Sequence, residues 1–149
     1  YITTPYLVLD QRMVDDLCRA AASGVDVRII TPHIPDKKAV FQVTRANYPS
    51  LVKSGVKIYE FTEGFIHAKS ILCDDMYAII GTMNFDFRSF YFHFENSVFL
   101  YKSNAIKELK SDNEKIFLTA TEITDDDIRK TNIFVKIYRS VLKLFAPFL

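Results

Sequence analysis

Glycine and proline are scarce in this chain of 149 residues, which contains four and five of them. That composition excludes collagen-like, low-complexity and disordered chains. Cysteine occurs twice, at Cys18 and Cys73, without a C-x-x-C or Cys/His spacing. The sequence therefore offers neither a disulfide framework nor a zinc site. No apolar run reaches the ~18 residues that a membrane-spanning helix needs.

An excess of charge of one sign is also missing. Nineteen Lys and Arg stand against 18 Asp and Glu, which gives a net charge of +1. A dedicated nucleic-acid-binding domain usually carries a strongly basic face, so no nucleic acid is expected as partner. The chain starts Tyr-Ile-Thr-Thr-Pro-Tyr, without Met or a leader pattern, and we expect it to be a piece of a longer protein, residues 1–149 forming one domain.

Hydrophobic periodicity predicts strands alternating with helices in the first part of the chain. A hairpin, a further strand and a polar helix follow it. The pattern predicts an α/β fold with a mixed β-sheet flanked by helices on both faces. The predicted strands are residues 2–8, 25–31, 56–61, 67–73, 77–82 and 95–101, and the predicted helices start near 10, 36 and 105.

The C-terminal part contains an acidic run and an apolar tail. The Asp-Asp-Asp run at 125–127 is interpreted as the N-terminal turn of a helix, in preference to a metal cluster. Residues 131–149 are predicted to form one amphipathic helix. We expect its first half to pack on the domain and residues 144–149 to contact a membrane.

The middle of the chain carries one spaced set of polar residues. Residues 67–74 read His-Ala-Lys-Ser-Ile-Leu-Cys-Asp, the form H-x-K-x(4)-D, and residues 81–84 read Gly-Thr-Met-Asn after six intervening residues. Glu95 follows Asn84 by eleven. Alternate residues of a strand share a face, so a hairpin would bring the His and Lys of the first segment beside the Thr and Asn of the second.

These side chains suit the chemistry of a phosphodiester. Lys69 supplies a fixed positive charge, and Thr82 and Asn84 can donate hydrogen bonds to the phosphate oxygens. The imidazole of His67 can attack phosphorus or transfer a proton near neutral pH. Glu95 could accept a proton from the other ring nitrogen of a catalytic histidine and so fix its tautomer.

With this spacing the sequence resembles the phospholipase D superfamily, whose signature is His-x-Lys-x(4)-Asp followed by Gly-Ser-x-Asn. Thr82 replaces the usual serine and keeps the hydroxyl. The flanking segments, among them Gly-Val-Lys-Ile-Tyr-Glu and Gly-Phe-Ile-His-Ala-Lys-Ser, are similar to the second catalytic domain of the bacterial cardiolipin synthases. The resemblance covers nearly the whole chain, which carries a single copy of the motif.

The resemblance implies a two-domain enzyme in which each domain supplies one motif to a shared site. One histidine becomes a phosphohistidine and the other is the general acid and then base, the role that we expect for His67. The reaction would convert two phosphatidylglycerol molecules into cardiolipin and glycerol, without cofactor or metal. Asp74 is expected at the turn, where it is better placed to hold the hairpin. The implied catalytic set is His67, Lys69, Asp74, Asn84 and Glu95, with Lys69, Thr82 and Asn84 binding the phosphate.

The expected partners are anionic phospholipid and either a missing N-terminal domain or a second copy of the chain. The resemblance implies a bacterial cell membrane, with the catalytic domain on its cytoplasmic side. Two alternatives stay open: a homodimeric single-motif phosphodiesterase or nuclease, and a non-enzymatic lipid-surface module. The phenylalanines between 85 and 94 favour a lipid substrate, although such residues more often belong to a core.

Overall fold

The computed structural model describes residues 1–148 and contains a seven-stranded sheet and a separate strand pair. Each strand is short, and the longest comprise five residues. Within the described residues the strands are β1 (Ile2–Thr3), β2 (Leu7–Val8), β3 (Arg28–Pro32), β4 (Lys57–Phe61), β5 (Ser70–Cys73), β6 (Tyr77–Gly81), β7 (Phe85–Asp86), β8 (Ser97–Tyr101) and β9 (Thr121–Ile123).

Most of the helices begin at a side-chain cap. Asp10 caps the first helix, because its Oδ1 accepts a hydrogen bond from the N–H of Met13 at 2.7 Å. The α-helices are α1 (Gln11–Ala22), α2 (Lys38–Lys53), α3 (Asn104–Thr119), α4 (Asp125–Lys130) and α5 (Ile133–Lys143), with a π-helical turn at Arg88–Phe92 and a 3₁₀ turn at Ala146–Phe148.

The strands of the large sheet follow the order β8-β6-β5-β1-β3-β4-β9. β1, β3 and β4 are parallel neighbours, whereas β5, β6, β8 and β9 pair with their neighbours in antiparallel fashion. β2 and β7 form the separate parallel pair. The predicted mixed α/β sheet is therefore confirmed. The single strand predicted over residues 2–8 is divided into β1 and β2, and β1 lies in the middle of the large sheet because β3 and β5 both pair with it.

Alternating side chains of the strands divide the core between the two faces of the sheet. Ile2, Ile29 and Ile58 are in register on one face, where α1 and α2 cover them. Thr3 points to the other face, where its hydroxyl donates to Asn113 Oδ1 of α3 at 3.4 Å. A second cluster on that face contains Leu72, Ala78 and Ile106. Burying each such aliphatic side chain contributes about 2 kcal/mol, so both helical layers are held by the sheet.

The hairpin strands are shorter than the sequence predicts. β5 begins at Ser70 and not at residue 67, and β6 ends at Gly81. The ladder stops there because the central partner β1 ends at Thr3, opposite Ser70. The motif residues consequently lie in extensions just beyond the strands, although Gly81 N–H still donates to the carbonyl of Lys69 at 3.2 Å.

The C-terminal segment differs from the single helix predicted over residues 131–149. α5 ends at Lys143, a 3₁₀ turn follows, and Leu149 lies outside the described residues. α5 lies against α2, where Arg139 Nε donates to Gln42 at 2.9 Å. Its apolar side chains are not buried by this contact: Ile133, Phe134, Ile137 and Tyr138 are all more than half exposed. Membrane contact at residues 144–149 stays a prediction. None of the helices within residues 1–148 is both long and apolar enough to cross a membrane.

Candidate active site

The chain topology gathers most of the motif at one edge of the sheet. β1, β3, β4 and β6 end at this edge, and β5, β8 and β9 begin there. The loops at residues 4–6, 33–37, 62–69 and 82–96 therefore adjoin one another. We call this the motif edge, and the opposite edge, which carries the β5–β6 turn, the hairpin edge.

His67 is exposed at the motif edge and lies between two aromatic rings. Its ring centroid is 5.4 Å from that of Phe65 and 6.2 Å from that of Tyr6, which it meets edge-on. Partial burial lowers the pKa of His67 below its ordinary value, and the charge of Lys69 lowers it further against the opposing charge of Asp36.

Lys69 lies beside three carboxylates at the same edge. Its Nζ donates a hydrogen bond to the carbonyl of His67 at 2.7 Å. Partial burial lowers the pKa of Lys69, while the charges of Glu95, Asp86 and Asp36 raise it. The group remains a cation at neutral pH, since its ordinary pKa is ~10.4. It can supply the positive charge that a phosphate requires.

Thr82 and Glu95 bond to each other. Thr82 Oγ1 donates to Glu95 Oε2 at 2.5 Å and accepts from the N–H of Asn96 at 2.9 Å. The bond from Thr82 is the main cause that holds the pKa of Glu95 below its ordinary value. Glu95 lies 3.8 Å from Nδ1 of His93. The described partner of the Thr82 hydroxyl is thus Glu95, and the roles expected for Thr82 and Glu95 in the chemistry stay predictions.

Hydrogen bonds of the backbone hold Asn84 in place. Its N–H donates to Ser89 Oγ at 3.0 Å, and the N–H of Ser89 donates to Asp86 Oδ1 at 2.7 Å. The next residue, Phe85, donates its N–H to Thr4 Oγ1 at 3.1 Å. Asn84 Oδ1 is buried without a hydrogen-bond partner among residues 1–148. That carboxamide oxygen is therefore not used to hold the loop.

Asp74 does not join the other motif residues. It lies in the turn at the hairpin edge, where Asp74 and Asp75 have φ of 51° and 56°. Asp75 accepts a bond from Lys110 Nζ at 2.5 Å. Strand β5 separates Asp74 from Lys69 by about 15 Å at 3.3 Å per residue. The structure places Asp74 in the turn that joins β5 and β6, where the sequence predicts it, and its inclusion in the catalytic set stays a prediction.

Sequence reasoning missed a buried cluster around Glu60, at the end of β4. Glu60 is 1% exposed and accepts hydrogen bonds from Arg45 at 2.8 and 2.5 Å and from the hydroxyl of Tyr48 at 3.1 Å. His33 Nδ1 lies 2.8 Å from Glu60 Oε2, and the side chain of His33 is half exposed. The sequence did contain a signal for this cluster. Glu60 lies two residues after Ile58, on the strand face whose core-facing positions are otherwise apolar.

The phenylalanine-rich segment is divided between core and surface. Phe85 is buried, while Phe90, Phe92 and Phe94 are exposed, the last completely. Arg88 links this segment to the C-terminal turn, since its Nη2 donates to the carbonyl of Phe148 at 3.2 Å. The motif edge is consequently bordered by exposed aromatic rings.

The acidic run at 125–127 caps α4, as the sequence predicts. Thr124 Oγ1 accepts from the N–H of Asp127 at 3.3 Å, and the side chain of Asp127 accepts from the N–H of Thr124 at 2.9 Å. Among the described residues, 1–148, no group of three or more His, Cys, Asp or Glu side chains is arranged to share a metal ion.

Solved structures show which known fold the chain adopts. A phospholipase D family member, Nuc from Salmonella typhimurium, matches with a TM-score of 0.71 and 17% identity, over 83% of this chain and 80% of that chain. The phosphatidylserine synthase of Haemophilus influenzae matches with a TM-score of 0.75 and 15% identity, over 99% of this chain and 41% of that one. The fold is that of the phospholipase D-like proteins.

Sequence similarity identifies the family. Residues 1–117 match the family described as cardiolipin synthase, PLD-like domain, and the chain belongs to that family. Over all 149 residues the chain is 39% identical to a cardiolipin synthase of Halalkalibacterium halodurans and 44% identical to an uncharacterized protein of Streptococcus mutans. It spans 30% and 32% of their lengths, so it corresponds to about a third of these relatives.

Proposed function

We propose that this chain is one catalytic domain of a cardiolipin synthase. The complete protein would transfer a phosphatidyl group from one phosphatidylglycerol to the headgroup hydroxyl of another, releasing glycerol. The observation that carries the proposal is the placement of His67, Lys69 and Asn84 at one sheet edge, in a chain that cardiolipin synthases match from end to end. Exposed aromatic and aliphatic side chains beside that edge suit a lipid substrate.

The transfer needs two imidazoles in its first step. One ring nitrogen attacks phosphorus, and the bond from phosphorus to the glycerol oxygen breaks. A second, protonated imidazole donates its proton to that oxygen, because glycerol is a poor leaving group as an alkoxide. In the second step the hydroxyl of another phosphatidylglycerol gives its proton to the second imidazole and attacks phosphorus, and the phosphorus–nitrogen bond breaks. We assign the proton-transfer role to His67.

Lys69 and Asn84 are the residues that bind the phosphate in this proposal. The ammonium of Lys69 offsets charge on the non-bridging oxygens, and the amide of Asn84 donates a hydrogen bond. Glu95 positions Thr82 through their mutual hydrogen bond. Since Thr82 donates its proton to Glu95, its contribution would be to shape the loop.

The second imidazole would come from another domain. His33 bonds to the buried Glu60, and His93 lies near Glu95, so neither is an obvious partner for His67. A further domain of the same protein is the proposed source, in agreement with the length of the relatives. The complete protein would act at the cell membrane, with this domain on the cytoplasmic side.

The decisive experiment compares the full-length protein with this chain. Purified samples are mixed with vesicles of labelled phosphatidylglycerol, quenched, and analysed for cardiolipin and for acid-labile phosphohistidine. We expect the full-length protein to form both, and the isolated chain to fold but form neither. Addition of the preceding part of the protein should restore some activity.

Two other outcomes would point to the alternatives. Transfer by the isolated chain that rises with dimer concentration would replace the two-domain arrangement by a homodimer. Cleavage of nucleic acid without lipid transfer on the same preparation would indicate a nuclease. Lipid binding without phosphohistidine or product, even in the full-length protein, would indicate a non-enzymatic module.

A further inference from the structure

A cavity with several basic side chains in its lining lies outside the set of motif residues, although His33 of the motif edge reaches it. It has a volume of about 490 Å³ and is enclosed by α2, α4, α5 and the ends of β4 and β9. None of the five motif-edge residues His67, Lys69, Thr82, Asn84 and Glu95 lines it. Basic side chains dominate its polar lining: His33, Arg45, Lys136, Arg139 and Lys143.

The acidic groups in this cavity are already satisfied. The floor residue Glu60 accepts two bonds from Arg45 and one from His33. Asp127 accepts two bonds from Thr124, one from its N–H at 2.9 Å and one from its hydroxyl at 2.5 Å. Neither carboxylate is therefore available as the main partner of a further cation.

Two of the cations lack a comparable partner. Arg139 donates from Nε to the neutral Gln42 at 2.9 Å, and no ion pair within residues 1–148 includes Arg139 or Lys143. Both are half-buried, and burial lowers the pKa of each, with the charge of Arg45 adding to the effect at Arg139. Withdrawing an unpaired cation from water costs free energy. An anion between these two side chains would remove that cost.

We propose that this cavity is a phosphate-binding site, in which Arg139 and Lys143 hold the phosphate group either of free phosphate or of an anionic phospholipid. A guanidinium can bind phosphate through two parallel hydrogen bonds, and an ammonium adds a point charge. The volume lies within the range of small-ligand sites.

The location of the cavity suits a lipid headgroup. The cations lie along α5, whose other side exposes a continuous apolar stripe: Ile133, Phe134, Ile137, Tyr138 and Val141. A helix with one apolar and one basic side can rest on an anionic membrane, with its basic groups at headgroup level. The site would then hold a phospholipid separately from the reacting ones. It does not depend on the proposed activity.

Arginine side-chain NMR on the 149-residue chain tests this site directly. Lys69→Ala serves as the background, so that phosphate binding at the motif edge is suppressed. Inorganic phosphate and monomeric dihexanoyl phosphatidylglycerol are titrated separately while the Nε–H signal of Arg139 is followed. We expect a saturable shift with at least one of them, and about tenfold weaker binding after Lys143→Gln, which removes a charged hydrogen bond.

Matched variants separate specific binding from net charge. Lys143→Arg should restore binding, and Arg129→Gln, which removes an exposed charge of α4, should leave it unchanged. Melting curves show whether each variant is folded. A response to the lipid alone identifies a headgroup site, and a response to phosphate alone identifies a free-phosphate site. No shift with either at about 10 mM, or an equal loss in Arg129→Gln, would overturn the proposal.

Discussion

Two of the three histidines at the motif edge, His33 and His67, differ in the partners of their rings. His33 is bonded to Glu60, which is 1% exposed and also bound by Arg45 and Tyr48. His67 is exposed, and the described contacts of its ring are with aromatic side chains. A polar group whose bonds are complete stabilises the fold, whereas one whose ring nitrogens stay available can react. Hydrogen-bond satisfaction therefore separates the structural histidine from the candidate catalytic one.

The largest expected effect follows from removing the ring of His67. In the full-length protein, His67→Ala should lower phosphatidyl transfer at least about 10³-fold, because an acid–base or nucleophilic group is lost. The melting temperature should change little, since the side chain is exposed. His93→Ala is the matched control and should retain most activity. Retention of more than about a few per cent of turnover by His67→Ala would contradict its catalytic role.

At Glu60 we expect a substitution to lower the stability of the fold, whereas a substitution at His67 should lower activity. Glu60→Gln leaves the half-buried guanidinium of Arg45 without its counter-charge, so the free energy of unfolding should fall by about 3 kcal/mol. For a chain of this size the melting temperature would drop by about 6–12 °C. Thermal melts followed by circular dichroism measure this change, and Glu63→Gln in the following loop is the control. Unchanged melting of Glu60→Gln would show that the cluster is not a stabilising element.

The pKa of His67 offers a finer test of its surroundings. Lys69→Met should raise the pKa of His67, because the charge of Lys69 is the second cause of its depression after burial. NMR titration of the imidazole protons measures the change. The pKa of His67 is lower in the folded chain than the value of ~6.5 in the unfolded chain. Its contribution to the free energy of unfolding is therefore present above pH ~6.5 and is lost as the pH falls through the folded pKa. A lower pKa of His67 in the Lys69→Met chain would exclude the charge repulsion between Lys69 and His67.

The smallest effect is expected at the hairpin edge. Asp74→Asn should leave transfer within about tenfold of the native rate, because the side chain is about 15 Å from Lys69. Asparagine tolerates the positive φ of this turn, whereas Asp74→Ala should lower stability more. Activity and melting temperature of both variants provide the comparison. Loss of transfer in a stably folded Asp74→Asn protein would indicate that Asp74 has a role in the reaction.

Much of the fold was predictable from local patterns. The Asp10 cap, the turn at residues 74–76 and the capped acidic run at 125–127 depend on neighbours in sequence, and the structure confirms them. The central position of β1 was not predictable in this way. Its two partners, β3 and β5, are distant along the chain, and a strand of two residues carries little pattern of its own.

The candidate site likewise combines features that local sequence predicts with features that only the fold determines. Spacing alone singled out His67, Lys69, Thr82, Asn84 and Glu95, and their roles in chemistry stay predictions. The pairing of Thr82 with Glu95 and the distance of Asp74 emerged only from the fold. The sequence also placed Glu60 on a strand face that is otherwise apolar, but it did not indicate which cations contact Glu60.

The sequence by itself determined the alternation of strands and helices, the hairpin and the set of phosphate-directed side chains. These features follow from backbone propensity, turn chemistry and side-chain type, which are local properties. Tertiary structure decided which groups meet: Glu60 with Arg45, Thr82 with Glu95, and a cavity between α2 and α5. Such meetings depend on sheet order and helix packing, in which the free energy of burial selects among arrangements that the local pattern leaves equally possible.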